Sequence, residues 1–364
     1  MGELGTAAHL ARGLRIRELR RYLAAELADV QPDAPLEASL LAGGRSNVSY
    51  LLQQGDRVWV LRRPPLGHVM PTAHDMSREH RVLAGLFSVG FQVPRPLVLC
   101  TDERVIGAPF VVMEYVPGQV IATAGDATTL SVDDADHISA AFIETLADLH
   151  AVDARVAGLE TLGRPEGYLA RQVGRWMQQW KRTRTRELAG VSSLGAWLER
   201  EVAALPAGLP WSVVHGDYRI DNLILTADRR GIRAVLDWEM STLGDPVSDL
   251  AVALVYWTRP GEGRRRRVPV ATGVTDGPGF WDRSALVSSY ANGTGRDLSH
   301  LDVCLALACL KLAVIMESIH FRSLQGQQLG AAAGADVDMG AATEALVELG
   351  LAVTSGGGVD ALSE

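Results

Sequence analysis

Three oxygen-bearing side chains in the second half of the chain have the types and the spacing of a metal-dependent phosphoryl-transfer site. Asp217 and Asn222 lie in the segment 215–224 (HGDYRIDNLI), with the aspartate five residues before the asparagine. Asp237 follows the asparagine by fifteen residues, directly after the apolar run Ala234-Val235-Leu236. Carboxylate and amide oxygens suit Mg²⁺, and a further carboxylate can deprotonate an attacking hydroxyl. We therefore predict Asp217 as the catalytic base and Asn222 and Asp237 as metal ligands.

The interval from Asp217 to Asn222 equals the one between base and metal ligand in the catalytic loop of protein kinases. Arg219 stands where those enzymes carry a lysine that contacts the transferred phosphate, and its planar guanidinium could stabilise charge there. Singly, these residues would more often be a turn, a local cap and a strand end. Their joint order and the flanking apolar runs favour the catalytic interpretation.

The elements that must position these residues divide the chain into two lobes. Hydrophobic periodicity and turn residues predict a first lobe over residues 1–116 and a second over 117–364, with the boundary near Pro117-Gly118. The fold class is α+β, with a small antiparallel sheet in the first lobe and a mainly helical second lobe. The first lobe is predicted to contain helices at 14–30 and 77–87 and strands within 40–54, 57–62, 96–100 and 110–115.

The second lobe is predicted to be helical except for two short strands beside the chemical motif. The strands are 212–215 and 234–237. A Gly- and Ala-rich tail is expected to begin at about 330 and to be mobile after a late helix. The predicted helices are 135–151, 168–186, 194–204, 281–290, 301–320 and 339–351.

The segments 215–224 and 234–239 resemble the aminoglycoside phosphotransferase and choline kinase superfamily, in which HGDxxxxN is followed by an IDWE or IDFE strand. Three further stretches, 60–67, 73–79 and 244–251, resemble the branch whose kinase-like domain is fused to acyl-CoA dehydrogenases in animals and stands alone in many actinobacteria. The resemblance implies a bilobal protein-kinase-like fold. It also implies ATP- and Mg²⁺-dependent transfer to a hydroxyl of a small molecule.

The resemblance assigns two segments of the first lobe to ATP. One is a hairpin loop whose small residues let backbone N–H groups approach phosphates, and the other is a hinge strand whose backbone bonds adenine. A plain hairpin turn and a plain buried strand would look the same in sequence. The residues so assigned are Gly44, Arg45, Ser46, Asn47, Glu114, Tyr115 and Val116.

The phosphate-anchoring cation of the superfamily is usually a lysine, but the corresponding strand here ends in Arg62 and Arg63. Alternation along a strand places these two side chains on opposite faces, so periodicity alone does not choose between them. The resemblance favours Arg62, with Glu79 as its ion-pair partner. Glu79 could instead be a solvated first-turn glutamate favoured by the helix dipole.

Three residues outside the main motif receive structural interpretations. Asp249, in the stretch 244–251, is expected to brace the catalytic loop through buried hydrogen bonds, as the resemblance suggests. His150 is expected to be a packed residue at a helix end. Lys311 is expected to snorkel or to be paired within a core helix.

The composition argues against several classes of protein. A formal net charge of -8 disfavours a general nucleic-acid binder. The three cysteines lack the close paired spacing of a zinc site or a redox CxxC motif. No apolar signal core and no uninterrupted membrane-length apolar run is seen, so a cytoplasmic location without membrane insertion is expected. The oligomeric state is not determined by the sequence.

The acceptor and two rival functions stay open at this level. The resemblance suggests a hydroxyacyl-CoA type of acceptor rather than an antibiotic, and the run Arg264–Arg267 would be either a solvated loop or a site for acceptor phosphates. A nucleotide-binding pseudokinase is an alternative because arginine replaces the usual lysine. A metal-dependent hydrolase with His215, Asp217 and Asp237 as ligands is another.

Overall fold

The computed structural model describes residues 14–41, 47–65, 75–270, 273–326 and 338–363. The chain divides into two compact units, Met1–Pro117 and Gly118–Glu364, here called the first and the second unit. The first unit contains a five-stranded antiparallel sheet, and the second is mainly helical with two short two-stranded sheets. These contents confirm the predicted α+β class.

The first unit is a sheet flanked by two helices. The strand order is β1-β2-β3-β5-β4, and every neighbouring pair is antiparallel. Asp75 begins the second helix by accepting the backbone N–H of Arg78 at 3.0 Å. The elements are α1 (Ile16–Glu26), β1 (Glu37–Leu40), β2 (Val48–Gln54), β3 (Arg57–Arg63), α2 (Met76–Ser88), β4 (Pro96–Cys100) and β5 (Phe110–Glu114).

Strand alternation decides which side chains of β3 enter the core. Trp59, Leu61 and Arg63 are buried, whereas the residues between them are only partly covered. Trp59 and Leu61 join a cluster of buried apolar residues that includes Leu19 and Leu23 of α1. The amphipathic helix α1 therefore covers one face of the sheet, and Arg62 lies on the other face.

The second unit is built around one long apolar helix. It comprises α3 (Ala124–Ala127), α4 (Val132–Ala151), α5 (Tyr168–Thr183), α6 (Ala189–Ala204), β6 (Ser212–Val214), β7 (Leu223–Leu225), β8 (Ile232–Val235), β9 (Thr242–Gly244), α7 (Pro246–Tyr256), α8 (Arg283–Thr294), α9 (Leu301–Leu324) and α10 (Met339–Ala352). Helix α9 packs against α5, α6, α7 and α10. Because helices cover it on several sides, α9 is apolar nearly all round.

Two helical stretches, Leu301–Leu324 and Met339–Ser363, are long and apolar enough to cross a membrane by length and composition, although no such stretch was predicted. In the first stretch, 78% of an apolar 18-residue segment is buried within the protein. The second is interrupted at Gly356, whose φ is 91°. The burial of α9 is that of a core helix, so its composition is explained without a bilayer.

The expectation of a mobile tail after the late helix was wrong for the described residues. After α10 the chain continues through a π-type turn at Val353–Gly357 and a 3-10 segment at Gly358–Ser363. Ala361 and Leu362 in that segment are buried. The burial of these two apolar side chains holds the segment against the second unit, whereas residues 327–337 lie outside the described part of the chain.

A buried carboxylate on α7 holds the loop that follows β6. Asp249 Oδ2 accepts the backbone N–H of His215 at 2.5 Å, and its Oδ1 accepts the N–H of Gly216 at 2.7 Å. His150 Nε2 donates to the same carboxylate at 3.4 Å, and His150 Nδ1 accepts from the Tyr290 hydroxyl at 2.7 Å. Burial lowers the pKa of His150, so the ring is neutral with its proton on Nε2.

Asp249 is therefore the anion in this group. Burial by itself raises the pKa of a carboxyl, but the hydrogen bonds from His150 and Gly216 hold the pKa of Asp249 below its ordinary value. The expected bracing of the loop by Asp249 is present in the structure. His150 is a hydrogen-bonded partner of that brace as well as a packed residue at the end of α4.

A second buried pair joins α7 to α9. Asp245 Oδ1 caps α7 by accepting the N–H of Val247 at 2.8 Å, and His300 Nε2, just before α9, donates to Asp245 Oδ2 at 2.8 Å. The hydrogen bond to Asp245 raises the pKa of His300 despite burial, so the pair is favoured as an ion pair. The two helices that carry Asp249 and Lys311 are thereby fixed to one another.

We expect Asp249→Asn to lower the free energy of unfolding by about 3 kcal/mol, because the amide cannot accept both N–H groups and loses the charge that they stabilise. Urea denaturation of the full chain measures this. Asp297→Asn is the matched control, since Asp297 is exposed and accepts one N–H, from Ser299 at 2.9 Å. An Asp249→Asn protein as stable as this control would contradict the brace.

We expect the stabilisation by the pair of His300 and Asp245 to depend on pH. Because the pKa of His300 is raised in the folded state, its contribution is fully present below the unfolded pKa of about 6.5 and is lost as the pH rises through the folded pKa. The measurement is the difference in unfolding free energy between the wild type and His300→Gln across that range. A difference that does not change with pH would count against the ion pair.

Candidate active site

Asp217 is held at both carboxylate oxygens. The Tyr256 hydroxyl donates to Oδ1 at 3.0 Å, and Arg219 Nε lies 3.1 Å from Oδ2. The Asp217 side chain keeps 17% of its surface exposed, so a substrate group can still reach it. Burial and the nearby charge of Asp217 raise the pKa of Tyr256 well above its ordinary value, so the phenol remains a donor. The arrangement fixes the direction of the Asp217 carboxylate.

Arg219 connects two acidic side chains of the same loop. Its Nη1 lies 2.5 Å from Asp221 Oδ2, and its guanidinium carbon lies 5.6 Å from the centre of the Tyr256 ring. Burial alone would lower the pKa of Arg219, but the carboxylates of Asp217 and Asp221 outweigh it and raise the pKa. In this structure Arg219 therefore orients the predicted base. Its predicted contact with the transferred phosphate stays a prediction.

The backbone around Asp217 is also fixed. His215 Nδ1 accepts the N–H of Asp217 at 3.1 Å, and its Nε2 donates to the Leu236 carbonyl at 2.8 Å. The Asn222 side-chain nitrogen donates to the Asp217 carbonyl at 2.9 Å. Both ring nitrogens of His215 are thus occupied, which argues against His215 as a metal ligand.

Pairing of β7 with β8 brings Asn222 and Asp237 together along the backbone. Leu223 pairs with Val235, and the N–H of Leu236 donates to the Asn222 carbonyl at 2.8 Å. Asp237 is the next residue, at φ 67°, and it is one of two described non-glycine residues with positive φ. Such a conformation costs on the order of 1–3 kcal/mol and is often found at functional sites.

The donor set of this region suits Mg²⁺. Asn222 is 6% exposed, and because its nitrogen donates to Asp217, its Oδ1 is the atom left to bind a cation. No described residue donates a hydrogen bond to that oxygen. A hard cation prefers such amide and carboxylate oxygens and retains waters for its other positions. Asn222 and Asp237 therefore fit the predicted role of metal ligands.

The first unit contains the predicted ion pair. Arg62 Nε lies 3.0 Å from Glu79 Oε1, with side-chain exposures of 14% and 3%. The Asn47 side-chain nitrogen contacts Glu79 Oε2 at 3.4 Å. Arg63, on the opposite face of β3, is buried and donates to the Ile106 carbonyl at 3.4 Å. Sheet packing thus distinguishes the two arginines, and Arg62 is the one beside Glu79.

The predicted hinge residues are Glu114, the last residue of β5, and the two residues that follow it. Glu114 pairs with Trp59 of β3, and beyond it Tyr115 is 39% exposed. Within the described residues, Tyr115 and Val116 make no backbone hydrogen bond to another segment. Their backbone groups are therefore available to a ligand. The other predicted nucleotide contacts, Gly44, Arg45 and Ser46, lie outside the described residues.

The arginine run is only partly what its sequence indicated. Arg265 is buried and donates to four carbonyls at the end of α7 and in the following loop, those of Val255, Tyr256, Val268 and Val270. It is therefore neither a solvated residue nor an acceptor ligand. Arg264 pairs with Glu348 at 3.3 Å and Arg266 with Asp276 at 3.4 Å. Arg267 remains exposed.

Tyr256 was not identified from the sequence as a site residue. It ends α7, and all eleven residues of that helix are buried, so no polar face marked the segment as a helix. Its only sequence signal is position, two turns of helix beyond Asp249.

The chain is similar in sequence to known phosphotransferases and to part of larger proteins. Residues 37–279 match the model of the phosphotransferase enzyme family. The chain is 37% identical over 320 residues to acyl-CoA dehydrogenase family member 11 of Gallus gallus, a match that covers 85% of this chain and 40% of that protein. The chain thus spans less than half the length of the curated relatives that it matches first.

Solved structures show the same fold. A Ralstonia eutropha protein named provisionally as an aminoglycoside phosphotransferase has a TM-score of 0.73 and 29% identity, covering 93% of this chain and 98% of its own. A spectinomycin phosphotransferase in complex with ADP and spectinomycin has a TM-score of 0.59 and 12% identity, covering 94% and 99%. The predicted protein-kinase-like fold and family resemblance are confirmed. The chain therefore belongs to the phosphotransferase enzyme family.

Proposed function

We propose that the chain uses ATP and Mg²⁺ to phosphorylate a hydroxyl of a small molecule. Membership of the family supports a small-molecule kinase. The observation that carries the fuller proposal is Asp217, a partly exposed carboxylate whose two oxygens are held by Tyr256 and Arg219. Asn222, the first of the two candidate metal ligands, bonds to the Asp217 carbonyl, and strand pairing brings Asp237, the second, close to Asn222. Phosphoryl transfer requires this combination of base and metal ligands.

Asp217 would act on the acceptor hydroxyl. Its carboxylate accepts the hydroxyl proton while the hydroxyl oxygen bonds to the γ-phosphorus of ATP, and the bond from that phosphorus to the bridging oxygen of ADP breaks. Because Tyr256 and Arg219 hold the carboxylate, little reorientation is needed during the step. Mg²⁺ held by Asn222 and Asp237 would neutralise phosphate charge.

Arg62 is proposed to anchor the nucleotide phosphates in place of the usual lysine. Its contact with Glu79 at 3.0 Å is the ion pair that would orient it. A guanidinium can bind phosphate oxygens through two parallel N–H groups, whereas a lysine ammonium acts as a point charge. The backbone of Tyr115 and Val116 is proposed to bond adenine, and the ADP bound to the spectinomycin phosphotransferase is consistent with nucleotide use.

For the acceptor we propose a hydroxyacyl-CoA type of metabolite. Similarity to acyl-CoA dehydrogenase family member 11 over 85% of this chain supports that class, and exposed Arg267 could meet an acceptor phosphate. An aminoglycoside is the competing acceptor, suggested by the name of the Ralstonia eutropha neighbour. A panel of both classes, assayed with ATP labelled at the γ-phosphate, separates them. A cytoplasmic location is part of the proposal.

A nucleotide-binding scaffold without catalysis is the second candidate, favoured by the arginine at position 62. ATP binding without any phosphorylated product across the panel would support it. The complete set of Asp217, Asn222 and Asp237 favours the enzyme, because a binder has no need of the base. The metal-dependent hydrolase is disfavoured, because His215 uses both ring nitrogens within the loop.

We expect Asp217→Asn to lower kcat by about 10²–10⁴-fold, because the amide cannot accept the hydroxyl proton. The dissociation constant for ATP should change by less than about threefold, since the nucleotide binds other residues. Turnover with the acceptor found by the panel and calorimetry with ATP give the two values. Asp228→Asn, in the exposed turn between β7 and β8, is the control. Wild-type turnover in Asp217→Asn would exclude Asp217 as the base.

We expect Asp237→Asn to raise the Mg²⁺ concentration needed for half-maximal activity by at least about tenfold, because one anionic ligand is lost. Titrating Mg²⁺ at fixed ATP in wild type and variant measures this shift. Asp228→Asn again serves as the control, and circular dichroism shows whether the Asp237→Asn protein is folded. An unchanged Mg²⁺ requirement would show that Asp237 is not a ligand.

A further inference from the structure

Lys311 is a buried cation whose surroundings are otherwise mostly apolar. It lies in the middle of α9 with 8% of its surface exposed, between residues that belong to the core of the second unit. Burial lowers the pKa of Lys311, whereas Asp217 and Asp249 oppose that effect and Arg175 adds to it. A cation in such a position needs a specific partner, because burial of an unpaired charge is costly.

The partner is the backbone of the catalytic loop. Lys311 Nζ donates to the carbonyl oxygen of Gly216, which belongs to the peptide bond that precedes Asp217. The N–H of the same peptide bond donates to His215 Nδ1 at 3.1 Å. The preceding N–H, that of Gly216, donates to Asp249 at 2.7 Å. Both sides of the peptide that carries Asp217 are therefore held by buried side chains.

The backbone conformation at Gly216 excludes a residue with a side chain. Gly216 has φ +84°, and a Cβ there would lie 2.7 Å from the carbonyl oxygen of Met240. A glycine is therefore required in this conformation, yet glycine is also the residue that most easily changes it. A donor on the Gly216 carbonyl removes that freedom. Rotation of this peptide would move the Asp217 carboxylate away from Tyr256 and Arg219.

We propose that Lys311 is a positioning residue of the phosphotransfer reaction, which fixes the Gly216–Asp217 peptide and thereby the direction of the Asp217 carboxylate. The inference rests on the proposed function. A role in stability alone would be a poor reason for a buried ammonium, because apolar residues of similar volume are often equal or better there. The hydrogen bond from Lys311 Nζ to the carbonyl of Gly216, the residue before Asp217, gives a better reason for a lysine at this position.

A small cavity beside Lys311 makes the idea testable by chemical rescue. The cavity has a volume of about 20 Å³, and Lys311, Trp176, Cys304 and Leu307 are among its lining residues. Such a space admits about one water molecule. Truncation of Lys311 would enlarge the cavity next to the Gly216 carbonyl, so that a short alkylammonium ion could occupy the place of the lost side chain.

The first experiment compares Lys311→Met with the wild type. We expect kcat to fall by about 10–100-fold, the KM for ATP to change by less than about twofold, and the melting temperature to stay equal or to rise. Hydrogen exchange at the amides of Gly216 and Asp217 should be faster in the variant, while exchange in α9 is unchanged. Unchanged kcat, or a fall in kcat that follows a fall in melting temperature, would overturn the proposal.

The second experiment adds ethylammonium or propylammonium to Lys311→Ala. We expect these ions to raise the kcat of Lys311→Ala at least about fivefold. Propanol, which has no charge, should raise it less. Leu307→Ala is the matched control, because it enlarges the same cavity but keeps the Lys311 donor to the Gly216 carbonyl, and it should not respond to the ions. Equal rescue of both variants, or rescue of neither, would contradict positioning by Lys311.

The two experiments also separate this inference from the proposed function. If the wild type transfers phosphate to no acceptor of the panel, the proposed function fails, whereas hydrogen exchange still reports whether Lys311 fixes the loop. If the wild type is active and Lys311→Met is equally active with unchanged exchange, the proposed function stands and Lys311 is not a positioning residue.

Discussion

The loop that carries Asp217 depends on a carboxylate that never meets solvent. Asp249 accepts two successive backbone N–H groups, at 2.5 and 2.7 Å, and it is itself held by neutral His150. An anion can be buried here because each of its partners donates a hydrogen bond to it, so the desolvation cost is offset by charge-assisted bonds. The backbone just before Asp217 is held by this carboxylate, and the Asp217 carbonyl in turn accepts the Asn222 side-chain nitrogen at 2.9 Å.

The side chain of Asp217, the predicted base, is held by Arg219 of its own loop and also from outside that loop. Tyr256 comes from the end of α7, and Lys311 comes from the centre of α9, whereas Asp249 comes from the start of α7. Helix α7 thus contacts the loop at both of its ends. The ion pair of Asp245 and His300 joins α7 to the beginning of α9, at 2.8 Å. A small displacement of either helix would therefore reach the carboxylate of Asp217 through several bonds at once.

An arginine, Arg62, forms the ion pair with Glu79. The planar guanidinium of Arg62 lies on the face of β3 opposite to the core, and Arg63 on the core face is satisfied by backbone carbonyls. Two neighbouring residues of the same type therefore have different roles. Strand alternation separates them by face, and only sheet packing determines which face is which.

The sequence by itself determined the local parts of this protein. The segment 215–224 and the strand before Asp237 are short and contiguous, so residue types and spacing were enough to single out Asp217, Asn222 and Asp237 as candidates. Strand β7, whose pairing with β8 brings Asn222 and Asp237 together, was not predicted. Strand β4 and the start of α10 were also predicted at their exact residues, because apolar periodicity and turn residues act over short distances. Helix α7 was missed because it is buried on every side and has no periodic polar face.

Only the tertiary structure decided which distant side chains complete the site. Tyr256 reaches Asp217 across 39 residues, and Lys311 reaches Gly216 across 95. The run of arginines looked solvated, yet packing buries Arg265 against four carbonyls, and the last residues after α10 looked mobile, yet Leu362 is buried. The physical reason is the same in each case. Local pattern fixes backbone conformation, whereas the partner of a buried polar group depends on which helices pack together, and no single segment of sequence contains that information.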